Sequence, residues 1–252
     1  ILLVVITSFM TSSEVDLVTT PFSLKAYLTL FDPLLGRVFL RSVLMALIAT
    51  VSCLLLAYPF AYAMVKSRYQ SLLLVLIIIP FWTSSLIRTY ALIALLKYKG
   101  LLNKWLMALH IIDQPMSILF SQTAVMIGLV YTLFPFMVLP LYTQMERFDF
   151  RLIEAAQDLG ASRWQLFSRV FLPNTIPGIV AGSLLVSLPA MTLFYIPNIL
   201  GGARTILLGN LIQDQFLLTQ NWPQGAATSV ALTVLLIGLL SLFRRHSKAV
   251  ML

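Results

Sequence analysis

The sequence has few charged residues and a single cysteine, and both shortages restrict its class. Asp, Glu, Lys and Arg make up 10% of the 252 residues, against roughly 25% in soluble domains. Cys53 has no second cysteine to pair with, so a disulfide framework and a cysteine metal site within the chain are excluded. The only histidines are His110 and His246, and neither a Walker A sequence nor a Gly-x-Ser-x-Gly motif occurs. We therefore expect a chain that binds no cofactor or metal and does not hydrolyse ATP itself.

Apolar residues are abundant instead and indicate a protein of the lipid bilayer. They make up 60% of the chain, and the mean hydropathy is +0.94. The net charge of +8 comes from basic residues scattered thinly along the sequence, so no soluble basic domain is available to bind nucleic acid. The lipid bilayer is the expected environment, and nucleic acid is not an expected partner.

Six apolar blocks predict an all-α, polytopic bundle of six transmembrane helices within a single domain, residues 1–252. The blocks are residues 1–13, 39–65, 72–96, 117–143, 174–199 and 223–243. Five of them reach the length of about 20 residues that crosses a bilayer core. The first block is too short and begins with Ile1 rather than Met, so we expect the missing half of its helix to lie upstream, with a processed end as the alternative. No charged segment precedes it, as a cleavable signal peptide would require.

A polar stretch between the fourth and fifth blocks, residues 146–173, is here named the elbow. Asp149 is a candidate N-cap, and Gly160 sits where a left-handed residue would end the helix that follows. Ser162 and Gln165 match a capping box that starts a second helix, and we expect Pro173 to limit it. The first helix would carry one apolar stripe, formed by Leu152, Ala155, Ala156 and Leu159. The second would carry Trp164, Phe167 and Phe171 on one face. An ordinary amphipathic interfacial loop is the alternative.

The elbow resembles the coupling loop of permease subunits in binding-protein-dependent ABC importers. The shared pattern is Glu-Ala-Ala, three residues, Gly160, nine residues, an aliphatic residue, one residue and Leu-Pro, with Val170 where the family usually has Ile. Further stretches, residues 79–88, 133–142 and 188–195, resemble the B-type permease of spermidine/putrescine importers, and that similarity covers nearly the whole chain. Opine, thiamine and iron permeases share the coupling loop, so the transported solute stays open among small solutes.

The resemblance implies the type I ABC importer permease fold and a set of partners. These are a second homologous permease subunit, two copies of an ATP-binding subunit that carries ATP and Mg²⁺, and a periplasmic solute-binding protein. The residues expected to contact the ATPase are Glu154, Ala155, Ala156, Asp158, Leu159, Gly160 and Arg163. It also implies a bacterial inner-membrane location with the elbow and both termini in the cytoplasm. Charge alone supports this orientation weakly, because only nine of the 17 basic residues fall on the elbow side, Lys66 and the pair Arg244 and Arg245 among them.

Arg88 is the clearest charged residue inside a predicted span, and no Asp or Glu occurs in any span. A charge at the bilayer centre costs about 2.5–3.5 kcal/mol on insertion scales, so Arg88 would reach the pathway, pair with an acid of a partner, or extend to the headgroups. Acids for a polyamine would then come from the partner permease or from the outer loops. The candidate pathway residues are Trp82, Arg88, Tyr131, Phe194, Tyr195, Asn198 and Asp214. Aromatic residues at span ends are more often interfacial anchors or core.

Three further features complete the expectations. Gly178 and Gly182 form a small-xxx-small pair that favours close helix packing. Residues 97–115 contain an amphipathic helix expected to lie on the outer membrane surface, with Asn103 on its polar face. It is either part of the docking surface for a binding protein or a plain interfacial helix. A secondary carrier would need ion-coupling groups near the midplane and inverted repeats, and a membrane enzyme would need a reactive cluster; neither pattern is evident in the sequence.

Overall fold

The computed structural model describes residues 2–11, 22–202 and 205–250, with side chains as far as Ser241. Helices make up nearly all of the regular structure in these ranges. In chain order they are α1 (Leu2–Thr7), α2 (Lys25–Leu28), α3 (Pro33–Lys66), α4 (Gln70–Ile78), α5 (Ser85–Leu96), α6 (Leu101–Ala108), α7 (Gln122–Glu146), α8 (Arg151–Asp158), α9 (Arg163–Gln165), α10 (Leu172–Thr192), α11 (Leu208–Leu217) and α12 (Trp222–Val250). Short 3₁₀ turns cover Thr29–Phe31 and Ile79–Trp82, and π turns cover Leu166–Phe171 and Pro197–Gly201.

The core lies where α3, α7 and α10 pack against one another. Helix α3 faces the core with a row of small side chains, and Cys53 and Ala57 within it are completely buried. Helix α10 approaches α7 through Gly178 and Gly182. A Cβ added to Gly182 would lie 2.7 Å from the sulfur of Met137 in α7. The packing role expected for this glycine pair is therefore confirmed.

Four helical runs are long and apolar enough to cross a membrane, and these are Pro33–Lys66, Gln122–Glu146, Arg163–Thr192 and Trp222–Ser241. The block at residues 72–96 is not a straight span, because Gln70–Trp82 and Ser85–Ala108 meet at 97°. Pro80 forms a 3₁₀ turn there, and Thr83 is extended with a ψ of 146°, which ends the first helix. The first block contributes only the six-residue α1. The described helices therefore give four spans, or five with the bent pair, and the predicted count of six is not reached.

The expectation that Pro173 limits the second elbow helix is wrong. Helix α9, the π turn Leu166–Phe171 and α10 form one run, Arg163–Thr192, which is itself a candidate span. The N–H of Leu172 bonds to the carbonyl of Phe167, five residues earlier. The π turn ends at Phe171, α10 begins at Leu172, and Pro173 therefore occupies one of the first helical positions, which proline tolerates, instead of ending the helix.

The outer helix α6 differs from the expectation in one residue. Asn103 is 1% exposed, although the amphipathic pattern places it on the polar face. Its side-chain amide donates to the carbonyls of Tyr98 (3.0 Å) and Met116 (2.9 Å) and accepts from the N–H of Met116 (3.1 Å). These bonds satisfy the buried amide and tie the two ends of the outer segment together. The exposed apolar side chains of Leu101, Trp105 and Leu109 remain available to the membrane surface.

Some sequence expectations lie outside the described residues. The side chains of Arg244, Arg245 and His246 are not described, nor is Ile1. Residues 12–21 of the first block and of the loop after it also lie outside the described ranges.

Candidate functional site at the helical elbow

The break at the centre of the elbow is a Schellman motif. Gly160 has a φ of +79°, the left-handed conformation expected of it. The N–H of Gly160 bonds to the carbonyl of Gln157 (2.8 Å), and the N–H of Ala161 bonds to that of Ala156 (3.0 Å). No other atom lies within 4 Å of a Cβ built on Gly160. Backbone conformation, and not crowding, therefore makes glycine the suitable residue here.

The starts of both elbow helices also follow the sequence closely. The carboxylate of Asp149 accepts the N–H of Arg151 (3.0 Å), although the cap position itself is Phe150, one residue later than expected. Ser162 and Gln165 form the complete capping box, with the N–H of Ser162 donating to the Gln165 side chain (2.8 Å). Each of the two elbow helices therefore begins with some of its first N–H groups hydrogen-bonded.

Helix α8 presents its apolar stripe to the outside. Leu159 is 89% exposed and Leu152 is 49% exposed, Ala155 is also exposed, and Ala156 is half-buried. The residue that turns inward is Ile153, which packs partly buried against the core. Exposed apolar side chains on a well-capped helix form a surface suited to another protein.

The predicted polar residues of the elbow are accessible. Glu154, Asp158 and Arg163 are all exposed. Glu154 and Arg163 also line a cavity of about 880 Å³, here named the elbow cavity, which lies between α8, the end of α3 and the run that begins at Arg163. The two halves of the elbow therefore face the same space.

An aromatic cluster fixes the elbow to the core, and it was not identified from the sequence. Phe171 is 4% exposed and meets the ring of Phe148 at 5.2 Å and that of Tyr62 at 5.3 Å, both nearly edge-on. Lys66 places its ammonium 4.7 Å above the ring of Tyr62. The spacing of Tyr58, Tyr62 and Lys66 at every fourth residue of α3 is the signal that could have indicated this face. These rings connect the elbow to α3.

Hydrogen bonds add to the connection between the elbow and the spans. The hydroxyls of Tyr58 in α3 and Thr175 in α10 lie 3.0 Å apart. At the end of α7, the Tyr142 hydroxyl donates to the Glu146 carboxylate (2.6 Å). Tyr142 and Glu146 both belong to α7, but the same Tyr142 hydroxyl also lies 3.2 Å from the side-chain oxygen of Gln70 in α4. The contacts of Tyr58 with Thr175 and of Tyr142 with Gln70 therefore join neighbouring helices.

The structure separates the candidate pathway residues into two groups and leaves one apart. Arg88 and Tyr131 line a second cavity, of about 540 Å³, here named the Arg88 cavity. Trp82 is 84% exposed and does not line it.

The second group lies around the π turn Pro197–Gly201 and α11. Asn198 donates to the side chain of Gln213 (2.8 Å) and accepts from Asn210, and Asn210 also donates to the carbonyl of Phe194 (2.8 Å). Asn210 and Gln213 were missed as members of this amide cluster. The rings of Phe194 and Tyr195 lie 6.2 Å apart. Asp214 follows Gln213 in α11 and is half-buried.

Comparison with known proteins identifies a family and close relatives. Residues 53–246 match the model described as "Binding-protein-dependent transport system inner membrane component". The chain is 51% identical over 249 residues to the spermidine/putrescine transport system permease protein PotB of Salmonella typhimurium (strain SL1344), covering 98% of this chain and 87% of that protein. It is 50% identical to PotB of Escherichia coli (strain K12), covering 98% and 90%.

A solved structure shares the fold. It is a bacterial alginate ABC transporter in complex with an alginate pentasaccharide-bound periplasmic protein. The similarity has a TM-score of 0.75 at 15% identity and covers 91% of this chain and 84% of the other. The type I permease fold expected from the sequence is therefore confirmed.

Proposed function

We propose, since the chain belongs to the binding-protein-dependent transport system inner-membrane family, that it forms half of the translocation pathway of a spermidine/putrescine importer. As a member of that family it is a non-catalytic, multi-pass inner-membrane subunit of an ABC importer. It works with a second permease, an ATP-hydrolysing subunit and a solute-binding protein. The observation that carries the choice of polyamines is the 51% identity to the permease PotB over 98% of this chain.

The elbow is the proposed coupling element, and its geometry supports this role. Helix α8 ends in a rigid Schellman motif and exposes Leu152 and Leu159. The seven coupling residues expected from the sequence lie on or next to this helix, and Glu154 and Arg163 provide charges beside the apolar side chains. We infer that α8 docks on an ATPase subunit, of which two copies bind ATP and Mg²⁺, while this chain binds no cofactor.

A mechanism follows from the way the elbow is attached. Closure of the two ATPase subunits moves the docked α8, and the Phe171 cluster transmits that movement to α3 and α10. Tilting of these helices would change the pathway from outward-facing to inward-facing. We further propose that the elbow and both termini lie in the cytoplasm. The seven candidate pathway residues line the translocation pathway, and residues 1–252 form a single permease domain.

Uptake into proteoliposomes tests the function. The chain is reconstituted with its second permease, ATPase and binding protein. Radiolabelled spermidine is added outside the vesicles, which either contain ATP or contain none. We expect ATP-dependent uptake that unlabelled putrescine inhibits. Uptake of thiamine, an opine or iron with no competition by polyamines would assign the chain to another solute, and uptake without the ATPase subunit would indicate a secondary carrier.

Cysteine labelling tests the orientation, because Cys53 is the only native cysteine and is fully buried. Leu159→Cys places a thiol on the elbow and Leu109→Cys places one at the end of α6. Both leucines are largely exposed. In intact cells with a permeable outer membrane, we expect an impermeant maleimide to label only the Leu109→Cys variant. Labelling of the Leu159→Cys variant alone would reverse the proposed topology.

A further inference from the structure

Arg88 has an unsatisfied side chain in an otherwise apolar region. Among the described residues it is the only charged residue with a buried polar atom, Nε, that lacks a hydrogen-bond partner. Its guanidinium carbon lies 5.5 Å from the centre of the Phe81 ring. Phe81 is held in turn by an edge-on contact with Phe136 at 5.2 Å. The guanidinium is therefore positioned by stacking, while part of its hydrogen-bonding capacity is unused.

The Arg88 cavity offers no counter-charge from this chain. Apart from Arg88, the only lining residues with side-chain polar atoms are Ser52 and Tyr131, and the rest are apolar. No Asp or Glu occurs in any of the predicted spans. Arg88 as a whole is half-buried, and a guanidinium held in an apolar region is normally paired with a carboxylate through paired hydrogen bonds. The described residues that line the Arg88 cavity supply no such carboxylate.

A pathway for a polycation needs negatively charged groups, just as Arg88 does. Ammonium groups that cross an apolar core need carboxylates, and this chain has none within the six predicted blocks, while Glu146 is the last residue of the span Gln122–Glu146. The second permease subunit is the component that can provide them. When the pathway is empty, such a carboxylate would itself lack a counter-charge.

We propose that Arg88 forms an ion pair with a carboxylate of the second permease subunit across the empty pathway, and that an ammonium group of the substrate replaces Arg88 during passage. The substrate-exchange half of this inference rests on the proposed polyamine function, whereas the ion pair does not. Arg88 acts as a tethered substitute for the substrate cation. It lowers the affinity of the pathway for polyamines and allows release.

A double-mutant cycle on the assembled importer tests the ion pair. Arg88→Gln is combined in turn with the neutral amide variant of each span carboxylate of the second permease, and the melting temperature of the substrate-free complex is measured. We expect one carboxylate whose variant is non-additive with Arg88→Gln, so that the double variant melts no lower than the less stable single variant. Additivity with every carboxylate would overturn the ion pair. Loss of the Arg88→Gln effect on removing anionic lipid would instead assign the partner to a lipid phosphate and equally overturn it.

Arg41→Gln is the matched control. The guanidinium of Arg41 faces the side-chain amide of Gln122 within this chain, so, unlike the Nε of Arg88, it has a hydrogen-bonding partner in the chain. We expect Arg41→Gln to be additive with every carboxylate variant of the second permease. Arg88→Lys, which keeps the charge, shows whether any loss comes from charge or from packing.

Spermidine binding tests the exchange. Removing a competitor that occupies the carboxylate most of the time should raise the spermidine affinity of the nucleotide-free complex by about tenfold. Uptake should slow, because release becomes harder. An unchanged or lower affinity in the Arg88→Gln variant would overturn the exchange. If the wild-type importer takes up no polyamine, the proposed function fails, but the melting experiment still decides whether the ion pair exists.

Discussion

The substitution Gly160→Val tests the elbow most sharply, because its cost comes from the backbone alone. The φ of +79° is unfavourable for any residue with a Cβ, and no atom lies within 4 Å to add a clash. The left-handed conformation costs a non-glycine residue about 1–2 kcal/mol, and more for a β-branched one. If valine leaves that conformation, the bonds from Gly160 and Ala161 to the last turn of α8 are lost, each contributing about 0.5–1.5 kcal/mol.

The expected consequence is loss of coupling without loss of the protein. Either outcome costs about 1–3 kcal/mol, which brackets the roughly 1.4 kcal/mol that corresponds to a tenfold change in an equilibrium. We therefore expect ATP-dependent uptake in proteoliposomes to fall about tenfold, while the amount of inserted protein, measured by immunoblot, is retained. Gly160→Asn should keep most activity because asparagine tolerates the left-handed region.

Gly36→Val is the matched control for this prediction. Gly36 lies in α3 with nothing within 4 Å of an added Cβ, and its φ is not in the left-handed region. The same side chain is therefore added without the conformational penalty. Normal uptake by Gly160→Val, or an equal loss in Gly36→Val, would refute the reasoning.

Three other substitutions test neighbouring parts of the account. Glu154→Lys should reduce co-purification of the ATPase subunit, because Glu154 is an exposed charge on α8; undiminished recovery would remove it from the contact. Gly182→Val should lower the melting temperature of the complex, since its Cβ would lie 2.7 Å from Met137 and overpacking costs about 1–3 kcal/mol; an unchanged melting temperature would contradict the close packing. Asn103→Leu leaves the backbone groups of Met116 without partners at about 1–3 kcal/mol each, so proteolysis of the outer segment should accelerate, and unchanged cleavage would argue against this tie.

The elbow was predictable where its structure depends on neighbours in sequence. The turn at Gly160 and the capping box of Ser162 and Gln165 use bonds that span three to five residues, so their pattern is visible in the sequence. The prediction that Pro173 ends the second elbow helix was wrong because a π turn, which depends on one inserted residue, comes before it. Residue types alone do not reveal such a turn.

Features that depend on distant contacts were not visible. Phe171 was predicted on one helix face with Trp164 and Phe167, but Trp164 is 73% exposed whereas Phe171 is 4% exposed. The contacts of Phe171 with Tyr62 and Phe148 join three separate segments. Asn103 looks like a surface residue until the carbonyls that its amide bonds to are brought around it. The stripe that contains Leu159 was predicted from periodicity, but periodicity does not say whether a stripe faces the core or the outside, and Leu159 is 89% exposed.

Crosslinking from Leu159 tests the central claim most directly. A Leu159→Cys variant carries a photoactivatable probe in the assembled importer, with a Leu109→Cys variant at α6 as the control. The account predicts a crosslinked product between the Leu159 position and the ATPase subunit, and none from the Leu109 position. No product with the ATPase from Leu159, or a product with the binding protein instead, would contradict the assignment of the elbow as the coupling element.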